Sequence, residues 1–409
     1  MTTNLRPDPL AFLAEELDDL RNRHLYRPLR VMSSAQGPIV SVDERRLISL
    51  SSNDYLGLTH HPRLRDAALR AVEDFGAGSG AVRTIAGTMT LHEDLERDLA
   101  AFKGTEATLT FQSGFTANTG VIPTITGEQD LIVSDELNHA SIIDGMRLSK
   151  APRKVYPHAD VDALRAILDE AVEHGREGTG LPYRLILVVT DGVFSMEGDI
   201  ARLPEIVELS REHDAIVIVD DSHGTGVMGA TGRGVAEHFG LLGEIDVVTS
   251  TLGKALGGAA GGFVASSREV CDLLAQRSRP QLFSNAIPPS IACGALAAVR
   301  VLRSQPALVD RLQANTVTFR KRLAEAGFQP LDGDAAIIPI IVGETSFAIE
   351  LSKRLLDEGV FVTGFGYPVV PEGKARVRVQ MSAALEPEHL DRSLAAFDTV
   401  GTATGLLVA

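Results

Sequence analysis

From about residue 60 onwards, short apolar runs alternate with longer amphipathic stretches along the chain. The amphipathic stretches, such as residues 91–102, repeat their apolar side chains at helical spacing, whereas the apolar runs are short and rich in β-branched residues. The runs that we expect to form strands are residues 107–111, 131–133, 185–190, 215–219 and 245–249. Buried strands that alternate with helices predict an α/β fold with a mostly parallel sheet covered on both faces.

The N-terminal region has a different pattern. Residues 8–30 carry apolar side chains at helical spacing (Phe12, Leu13, Leu17 and Leu20) and predict a helix. Residues 38–50 are typical of a short hairpin, with the polar pair Asp43–Glu44 at its turn. We therefore expect an N-terminal arm and helix over residues 1–59.

The C-terminal region returns to long helices and short strands. A long helix is predicted over residues 290–325, with a break near Pro306, which cannot continue a helix regularly. Further expected elements are strands at 336–342, 360–363 and 376–381 and helices at 346–358 and 387–398. The pattern predicts a large α/β domain over residues 60–290 and a small α+β domain over residues 291–409.

Composition narrows the classes of protein. The chain has 409 residues, 44% of them hydrophobic, which is enough for a substantial core. Its net charge of −15 and the lack of a basic cluster argue against a nucleic-acid binder. Cys271 and Cys293 form no metal-ligand or disulfide pattern. The sequence has no secretory leader and no apolar run of about 20 residues, so we expect a cytoplasmic protein without metal or membrane partners.

The most unusual loop follows the strand expected at residues 245–249. It lies in the segment TSTLGKALGGAAGG at residues 249–262. Lys254 lies there among small and apolar residues, and loss of hydration lowers the pKa of a lysine and favours imine chemistry. A Walker loop is excluded, because Val248 stands where its first glycine is required and Ala255 replaces its Ser or Thr. The alternative is a glycine-rich turn with a surface lysine.

A second candidate segment, VDDSHGTGVMG, follows the strand at residues 215–219. An acid at a strand end, such as Asp220, can keep the nitrogen of a bound ring protonated so that the ring accepts electrons, and His223 follows closely. The alternative is an Asx-type turn with a capping aspartate. The glycines also match the GxGxxG pattern of a non-catalytic dinucleotide-binding protein, but a loop rather than a helix follows them.

Three further segments carry groups that suit an anionic ligand. Residues 111–120 (FQSGFTANTG) place a Ser-Gly pair and Thr and Asn side chains where a helix opens, which suits a phosphate, although ordinary helix capping gives the same pattern. His139 could stack on a ring, act as a base or be structural. Arg376 and Arg378 share one strand face and could clamp a carboxylate or lie in solvent. Together these groups indicate an enzyme that uses pyridoxal phosphate.

The order of the motifs resembles the α-oxoamine synthase family of fold-type I pyridoxal-phosphate enzymes. The segments that carry the resemblance are SSNDYLGL (51–58), GAVRTIAGT (80–88), LNHASIIDG (137–145), TDGVFSMEGDIA (190–201), VDDSHGTGVMG (219–229), TLGKALGGAAGG (251–262), RSRPQLFSN (277–285) and ARVRVQMSAA (375–384). The resemblance extends from about residue 25 to residue 398. It implies a large domain with a mostly parallel, seven-stranded type of sheet, a smaller C-terminal α+β domain and a homodimer.

The resemblance also implies a role for individual residues. Lys254 would bind the cofactor covalently and move the α-proton, and Asp220 would pair with the ring nitrogen. The other implied cofactor contacts are His139 stacked on the ring, His223 and Ser195 near its hydroxyl, and Ser113, Gly114, Phe115 and Thr251 at the phosphate. Asn53 and Arg378 would hold the substrate carboxylate. Ser284 and Asn285 would reach the cofactor of the partner subunit, so that the two subunits share each active site.

Within the family, the segments around Lys254, Asn285 and Arg378 look most like those of glycine C-acetyltransferases. The expectation is therefore that glycine condenses with acetyl-CoA to give 2-amino-3-oxobutanoate and CoA, as in threonine catabolism. The alternative is the 8-amino-7-oxononanoate synthase reaction, in which alanine condenses with a pimeloyl thioester and loses its carboxylate, or an enzyme with both specificities. Leu385 departs from the acetyltransferase pattern, in which a histidine is frequent.

Overall fold

The computed structural model describes residues 8–23, 25–26 and 28–407. The other positions of the predicted arm, residues 1–7, 24 and 27, lie outside this range. Helix α1 spans Phe12–Asn22, and none of its side chains is buried against the rest of the described chain. The hairpin forms as predicted, from β1 (Ile39–Val42) and β2 (Arg45–Ser49). Its turn residues Asp43 and Glu44 both have positive φ angles, of 48° and 65°.

A seven-stranded sheet forms the centre of the fold, in the strand order β3-β9-β8-β7-β6-β4-β5. Its strands are β3 (Ala107–Phe111), β4 (Leu131–Asp135), β5 (Arg153–Tyr156), β6 (Ile186–Asp191), β7 (Ile216–Asp220), β8 (Val247–Thr251) and β9 (Gly262–Ser266). Strand β9 runs antiparallel to β3 and β8, and the other neighbouring strands are parallel. The α/β fold of a fold-type I pyridoxal-phosphate transferase is thereby confirmed.

The apolar runs form strands because both of their faces are buried. In β6, for example, Leu187 and Val189 pack on one side of the sheet and Val188 packs on the other. Two strands escaped the sequence pattern. Strand β5 lies at the sheet edge with mostly exposed side chains, and β9 follows directly on the glycine-rich loop, so neither shows an isolated apolar run.

Helices cover both faces of the sheet. They are α2 (Pro62–Phe75), α3 (Thr90–Lys103), α4 (Gly114–Ile125), α5 (Ala140–Leu148), α6 (Val161–His174), α7 (Leu203–Glu212), α8 (Val235–His238), α9 (Arg268–Arg277) and α10 (Arg279–Phe283), with one π-helical turn at Arg83–Gly87. The GxGxxG segment runs through turns until α8 begins at Val235, as expected for a loop. Within the described part of the chain, no helix combines the length and apolarity that a membrane span needs.

The C-terminal region contains α11 (Pro289–Ser304), α12 (Ala307–Glu325), β10 (Ile337–Gly343), α13 (Thr345–Asp357), β11 (Val360–Phe361), β12 (Thr363–Phe365), β13 (Ala375–Gln380) and α14 (Pro387–Thr404). The predicted break near Pro306 separates α11 from α12. Strands β10, β13 and β12 form one antiparallel sheet, and β11 joins the hairpin β1–β2. Helix α11 packs against α2 and α3 across the predicted boundary at residue 290. The hydroxyl of Tyr55 lies 2.8 Å from Nδ1 of His223, so a contact also crosses the predicted boundary at residue 59. Those boundaries stay a prediction.

Candidate active site

Four neighbouring parallel strands end in polar residues at one edge of the large sheet. These residues are Asp135 in β4, Asp191 in β6, Asp220 in β7 and Thr251 in β8. Ligands bind at this edge in open α/β sheets, outside the carboxyl ends of the strands. The cleft found there is lined by Ser113, Gly114, Phe115, His139, Ser141, Asp191, Val193, Asp220, Ser222, His223, Thr251 and Lys254. The structure therefore brings eight of the thirteen predicted site residues together in one cleft.

Lys254 reaches the cleft from the loop after β8. Burial lowers the pKa of its amine from 10.5 to about 8, although the negative charges of Asp220 and Asp191 oppose the shift. The loop closes behind the lysine through a hydrogen bond from the backbone N–H of Gly258 to the carbonyl oxygen of Lys254 (2.9 Å). Gly258 has a φ of 66°, a conformation that favours glycine. The loop thus presents an amine that loses its proton more readily than an exposed lysine.

Asp220 is fixed by hydrogen bonds to both carboxylate oxygens. Asn118 in α4 donates to Oδ2 (2.6 Å), and the backbone N–H of Ser222 donates to Oδ1 (2.9 Å). Asn118 is held in turn by Thr249, whose hydroxyl donates to its Oδ1 (2.7 Å). The sequence pattern marked the segment containing Asn118 only as a phosphate site. Its position four residues after Gly114, on the same helix face, is the signal that could have found its role.

The second acid of the pair faces away from the cleft. Asp221 forms a buried ion pair with Lys103, in which Nζ and Oδ2 are 2.7 Å apart. Successive residues at a strand end point to opposite faces of the sheet, so only one of the two acids can face a ligand in the cleft. The resemblance alone selected Asp220 from the sequence. The alternation of side chains along β7 explains why Asp221 instead forms an ion pair with Lys103 behind the cleft.

His223 belongs to a buried hydrogen-bonded chain. The hydroxyl of Tyr55 lies 2.8 Å from Nδ1 of His223, and Gln380 donates to that hydroxyl (3.1 Å). Gln380 also donates to Oδ1 of Asn53, which is predicted to bind the substrate carboxylate. Burial, reinforced by the positive charges of Lys254 and Arg378, lowers the pKa of His223 well below 6.5, so its ring is neutral. Because Gln380 already donates to the Tyr55 hydroxyl, that hydroxyl can donate its own proton to Nδ1.

His139 and Asp191 form another wall of the cleft. The backbone N–H of His139 donates to Oδ2 of Asp191 (3.1 Å), and its Nδ1 lies 2.7 Å from the hydroxyl of Ser141. Burial and the neighbouring Asp220 raise the pKa of Asp191 well above its usual value of 3.8. Oδ1 of Asp191 is buried and has no hydrogen-bond partner among the described residues. Sequence reasoning missed Asp191, because only the fold places it beside Asp220.

One corner of the cleft is built to bind an anion. Helix α4 begins at Gly114, so the first N–H groups of the helix have no partner within it and lie at the positive end of its dipole. A Cβ at Gly114 would lie 3.1 Å from Cβ of Thr251 and 3.3 Å from Oγ of Ser222. The glycine therefore lets two hydroxyl groups approach the helix N-terminus, as a phosphate would require.

Arg378 lies on β13, at the side of the small sheet. Its guanidinium donates to the carbonyl oxygen of Ser195 (2.8 Å) and lies 4.7 Å from the ring centre of Phe365. Nε of Arg378 is buried without a hydrogen-bond partner among the described residues, which suits an incoming carboxylate. Arg376, by contrast, is committed to Glu197 and the carbonyl oxygen of Met196. Ser195 therefore contacts the arginine through its backbone, and its side chain does not line the cleft.

Ser284 and Asn285 lie apart from the cleft of their own chain. Asn285 is exposed, forms a bridge with Val82 and accepts a hydrogen bond from Gln112 through its backbone carbonyl. The neighbouring Phe283 has 76% of its surface exposed. The predicted contact of Ser284 and Asn285 with a partner subunit's cofactor stays a prediction.

The residues in the cleft fit pyridoxal phosphate. A lysine with a lowered pKa, an aspartate held by two donors and an anion-binding corner border the same space, which matches the aldehyde, ring nitrogen and phosphate of that group. The buried, unpaired Nε of Arg378 supplies a site for the carboxylate of an amino acid.

Comparison with known proteins gives the family. Residues 45–397 match the family described as aminotransferase class I and II. The 8-amino-7-oxononanoate synthase of Symbiobacterium thermophilum is 51% identical over 396 residues, which cover 97% of this chain and 99% of the relative. The 8-amino-7-oxononanoate synthase 1 of Bacillus subtilis is 45% identical, with coverage of 94% and 95%.

Solved structures agree with the fold. Serine palmitoyltransferase of Sphingomonas wittichii superimposes with a TM-score of 0.90 at 32% identity, covering 98% of this chain and 100% of the other. Serine palmitoyltransferase from S. paucimobilis, with bound PLP and myriocin, also gives a TM-score of 0.90, at 31% identity and with coverage of 97% and 98%.

These comparisons correct one expectation from the sequence. Glycine C-acetyltransferase activity is contradicted, because relatives that are 45–51% identical along almost the whole chain are named 8-amino-7-oxononanoate synthase. Acetyl-CoA, glycine and a place in threonine catabolism lose their support for the same reason. The physical cause of the error is that the segments around Lys254 and Arg378 are the ones expected to bind the cofactor and the amino-acid carboxylate. Those groups are common to the two reactions.

Proposed function

This chain belongs to the aminotransferase class I and II family and, within it, to the α-oxoamine synthases, and on that premise we propose that it is an 8-amino-7-oxononanoate synthase. The enzyme is a pyridoxal-phosphate-dependent acyltransferase. The proposed reaction condenses L-alanine with a pimeloyl thioester, releasing the free thiol and carbon dioxide. The observation that carries this proposal is the 51% identity to a synthase of that name over 97% of the chain.

The proposed mechanism assigns cofactor binding to the cleft-lining residues. Lys254 would attach the cofactor, the N-terminus of α4 with Ser113, Gly114 and Thr251 would bind its phosphate, and Asp220 would pair with its ring nitrogen. When bound, pyridoxal phosphate supplies a ring that accepts the electron pair left on the amino-acid α-carbon after a bond to that carbon breaks. The hydrogen bond from Asn118 holds the Asp220 carboxylate in a fixed orientation, in which it would pair with the ring nitrogen. His139, at the start of α5, lines the same cleft and would stack on the cofactor ring.

Substrate binding and proton transfer are assigned to a second set of residues. Arg378 and Asn53 bind the carboxylate of the amino acid, so that the bond to be broken at the α-carbon is held in a fixed direction. With an amino acid in the cleft, the amine of Lys254 would remove the α-proton, because its lowered pKa leaves part of it unprotonated near neutral pH. Because Nδ1 of neutral His223 accepts the hydrogen bond of the Tyr55 hydroxyl, the single ring proton lies on Nε2, which can donate into the cleft.

A homodimer with shared active sites is part of the same proposal. The supporting observation is that Phe283 is exposed on the isolated chain directly beside Ser284, and Ile85 is 81% exposed. Large exposed apolar side chains in such a position are typical of a buried interface between subunits. The small-molecule substrates then bind in a cleft that one chain forms and the partner completes.

The test is free-thiol release by the cofactor-loaded protein with every combination of three amino acids and three thioesters. Glycine, L-alanine and L-serine are combined with acetyl-CoA, pimeloyl-CoA and palmitoyl-CoA. We expect release mainly with L-alanine and pimeloyl-CoA. Release mainly with L-serine and palmitoyl-CoA would contradict the proposal and assign the activity named for the structural relatives instead.

A further inference from the structure

A histidine outside the cleft lies between two carboxylates. His158 follows β5, and its Nδ1 is 3.1 Å from Oδ1 and 3.2 Å from Oδ2 of Asp135 at the end of β4. Its Nε2 lies 2.9 Å from Oδ2 of Asp199, in the loop after β6. An ionised carboxylate only accepts hydrogen bonds, so both ring nitrogens must donate and the ring must carry a positive charge. The proposed mechanism does not use this group.

The surroundings of His158 support a fixed cation. Burial alone would lower the pKa of the ring, but the hydrogen bonds to Asp135 and Asp199 outweigh it and raise that pKa to about 10. The ring of Phe194 meets the imidazole edge to face, with 4.4 Å between centroids. Glu136 accepts a hydrogen bond from the backbone N–H of His158 (2.9 Å), so the groups facing this residue are acidic or apolar.

Asp199 belongs to a short closed loop that borders the cleft. An antiparallel bridge between Val193 and Ile200 closes the loop, and Val193 lines the cleft. Within the loop, the backbone N–H of Phe194 donates to the carbonyl oxygen of Asp199 (3.0 Å). The backbone N–H of Gly198 donates in turn to the carbonyl oxygen of Phe194 (2.8 Å). These bonds connect the two sides of the loop, so a contact that holds Asp199 also restrains the residues that precede it.

The same loop holds both arginines of β13. The carbonyl oxygen of Ser195 accepts from Arg378 (2.8 Å), and that of Met196 accepts from Arg376 (2.8 Å). Arg378 is the residue to which the proposed function assigns the amino-acid carboxylate. A tilt of the loop would move the carbonyl of Ser195 and with it the guanidinium.

We propose that His158 is a positioning residue for amino-acid binding: as a cation clamped between Asp135 and Asp199, it fixes the loop 193–200 and thereby the direction of the Arg378 guanidinium. The inference rests on the proposed function for the role of Arg378 and for nothing else. It assigns His158 no contact with substrate or cofactor.

The experiment measures amino-acid binding to the holoenzyme without any acyl thioester. L-Alanine is titrated into wild type, His158→Gln and Asp199→Asn while the absorbance of the bound cofactor is followed, which gives a Kd for each protein. His158→Gln removes the cation, and Asp199→Asn removes the charge of one of its partners. We expect each variant to raise the Kd by about tenfold, close to the energy that charge adds to a buried hydrogen bond. Because no thioester is present, a failure of the pimeloyl assignment would leave this result intact.

His213→Gln is the matched control. His213 also pairs with a carboxylate, at 2.8 Å from Asp169, and with the carbonyl of Leu209, but it lies between α6 and α7 and does not line the cleft. We expect it to leave the Kd within about twofold of wild type, as for sites that do not couple. If wild type gives no signal with L-alanine, glycine or L-serine takes its place, since each presents the same carboxylate.

A purely structural role gives a different pattern, which overturns the proposal. In that case His158→Gln and Asp199→Asn would lower the midpoint of thermal unfolding and leave the Kd unchanged. An equal rise in Kd in His213→Gln would overturn it as well. If His158→Gln does not fold, Asp199→Asn decides alone, because its side chain is 34% exposed and its loss leaves the His158–Asp135 pair in place.

Discussion

Lys254 combines a cleft position with a pKa lowered to about 8 by burial. We expect Lys254→Ala to lower thiol release by at least about 10²–10⁴-fold, the usual contribution of a positioned general base, because no other amine lines the cleft among the described residues. Lys150→Ala is the control, since Lys150 is exposed and pairs with Glu128 at the surface. Substantial turnover by Lys254→Ala would refute the assignment.

Asn118 contacts no predicted substrate atom but holds Asp220. Asn118→Ala removes the donor to Oδ2 of Asp220, and we expect the Kd for pyridoxal phosphate to rise by about tenfold, as for loss of a hydrogen bond to a charged group. Fluorescence titration of the cofactor-free protein measures this Kd. Asn315→Ala is matched to it, because Asn315 also donates two side-chain hydrogen bonds, to Ser382 and Leu385, but it lies outside the cleft. Equal cofactor affinities in the two variants would contradict the role of Asn118.

Residues that line the cleft could be predicted from sequence where the signal is local. Lys254 and Asp220 each follow an apolar strand, so their segments pointed to the cleft before any contact was known. Tyr55 could not be found in that way, because its partner His223 is 168 residues away along the chain. Asp191 was missed for the same reason, since its contact with His139 spans 52 residues.

Helix α4 and strand β8 meet closely enough that one glycine decides their spacing. In Gly114→Val the new Cβ would lie 3.1 Å from Cβ of Thr251, and the two methyl groups would extend into the phosphate corner. We expect a rise in the Kd for pyridoxal phosphate while the secondary structure measured by circular dichroism is kept. Gly127→Ala is a suitable comparison, because a Cβ there would meet only Asp130, at 3.9 Å. Unchanged cofactor affinity in Gly114→Val would refute a phosphate site at this corner.

The contacts between β4, β5 and the loop 193–200 should give stability a pH dependence. The folded-state pKa of His158 is raised to about 10, above the ordinary value of 6.5, so its contribution is complete below pH 6.5 and lost as pH rises through 10. We expect the difference in the free energy of unfolding between wild type and His158→Gln to be greatest at pH 6 and to shrink by pH 9. Denaturant unfolding at the two values measures it, and an equal difference at both would show that the ring is uncharged.

Elements were predictable where one pattern held over several residues. The strands with isolated apolar runs, the hairpin turn at Asp43–Glu44 and the break at Pro306 all follow from local sequence. Strand β5 was missed because an edge strand needs no apolar run, and β9 because the glycines before it hide its start. In both cases the neighbouring strands impose the conformation.

The whole molecule is expected to function as a dimer that buries Phe283. Phe283→Asp would place a charge in that interface, so we expect light scattering to show a shift from dimer to monomer, with loss of activity but a folded chain. An exposed phenylalanine on a monomer would tolerate the same change without consequence, because the residue is 76% exposed on the isolated chain. A wild-type monomer, or an unchanged dimer in Phe283→Asp, would contradict the expectation.

Similarity along the whole chain indicates the substrates better than the individual motifs do. The segments around Lys254 and Arg378 suggested glycine and acetyl-CoA, whereas similarity along more than nine-tenths of the chain supports an oxononanoate synthase. Motifs expected to bind the cofactor and the carboxylate are common to the two reactions, so they do not report the length of the acyl chain.

Loss of the amino-acid carboxylate distinguishes the oxononanoate synthase reaction most directly from a condensation of the acetyltransferase type, which keeps it. L-Alanine labelled at its carboxyl carbon is incubated with pimeloyl-CoA and the holoenzyme, and labelled carbon dioxide is compared with free thiol. The proposed synthase predicts one carbon dioxide for each thiol released. Thiol release with the label retained in an amino-oxo acid would contradict it and assign a condensation without decarboxylation.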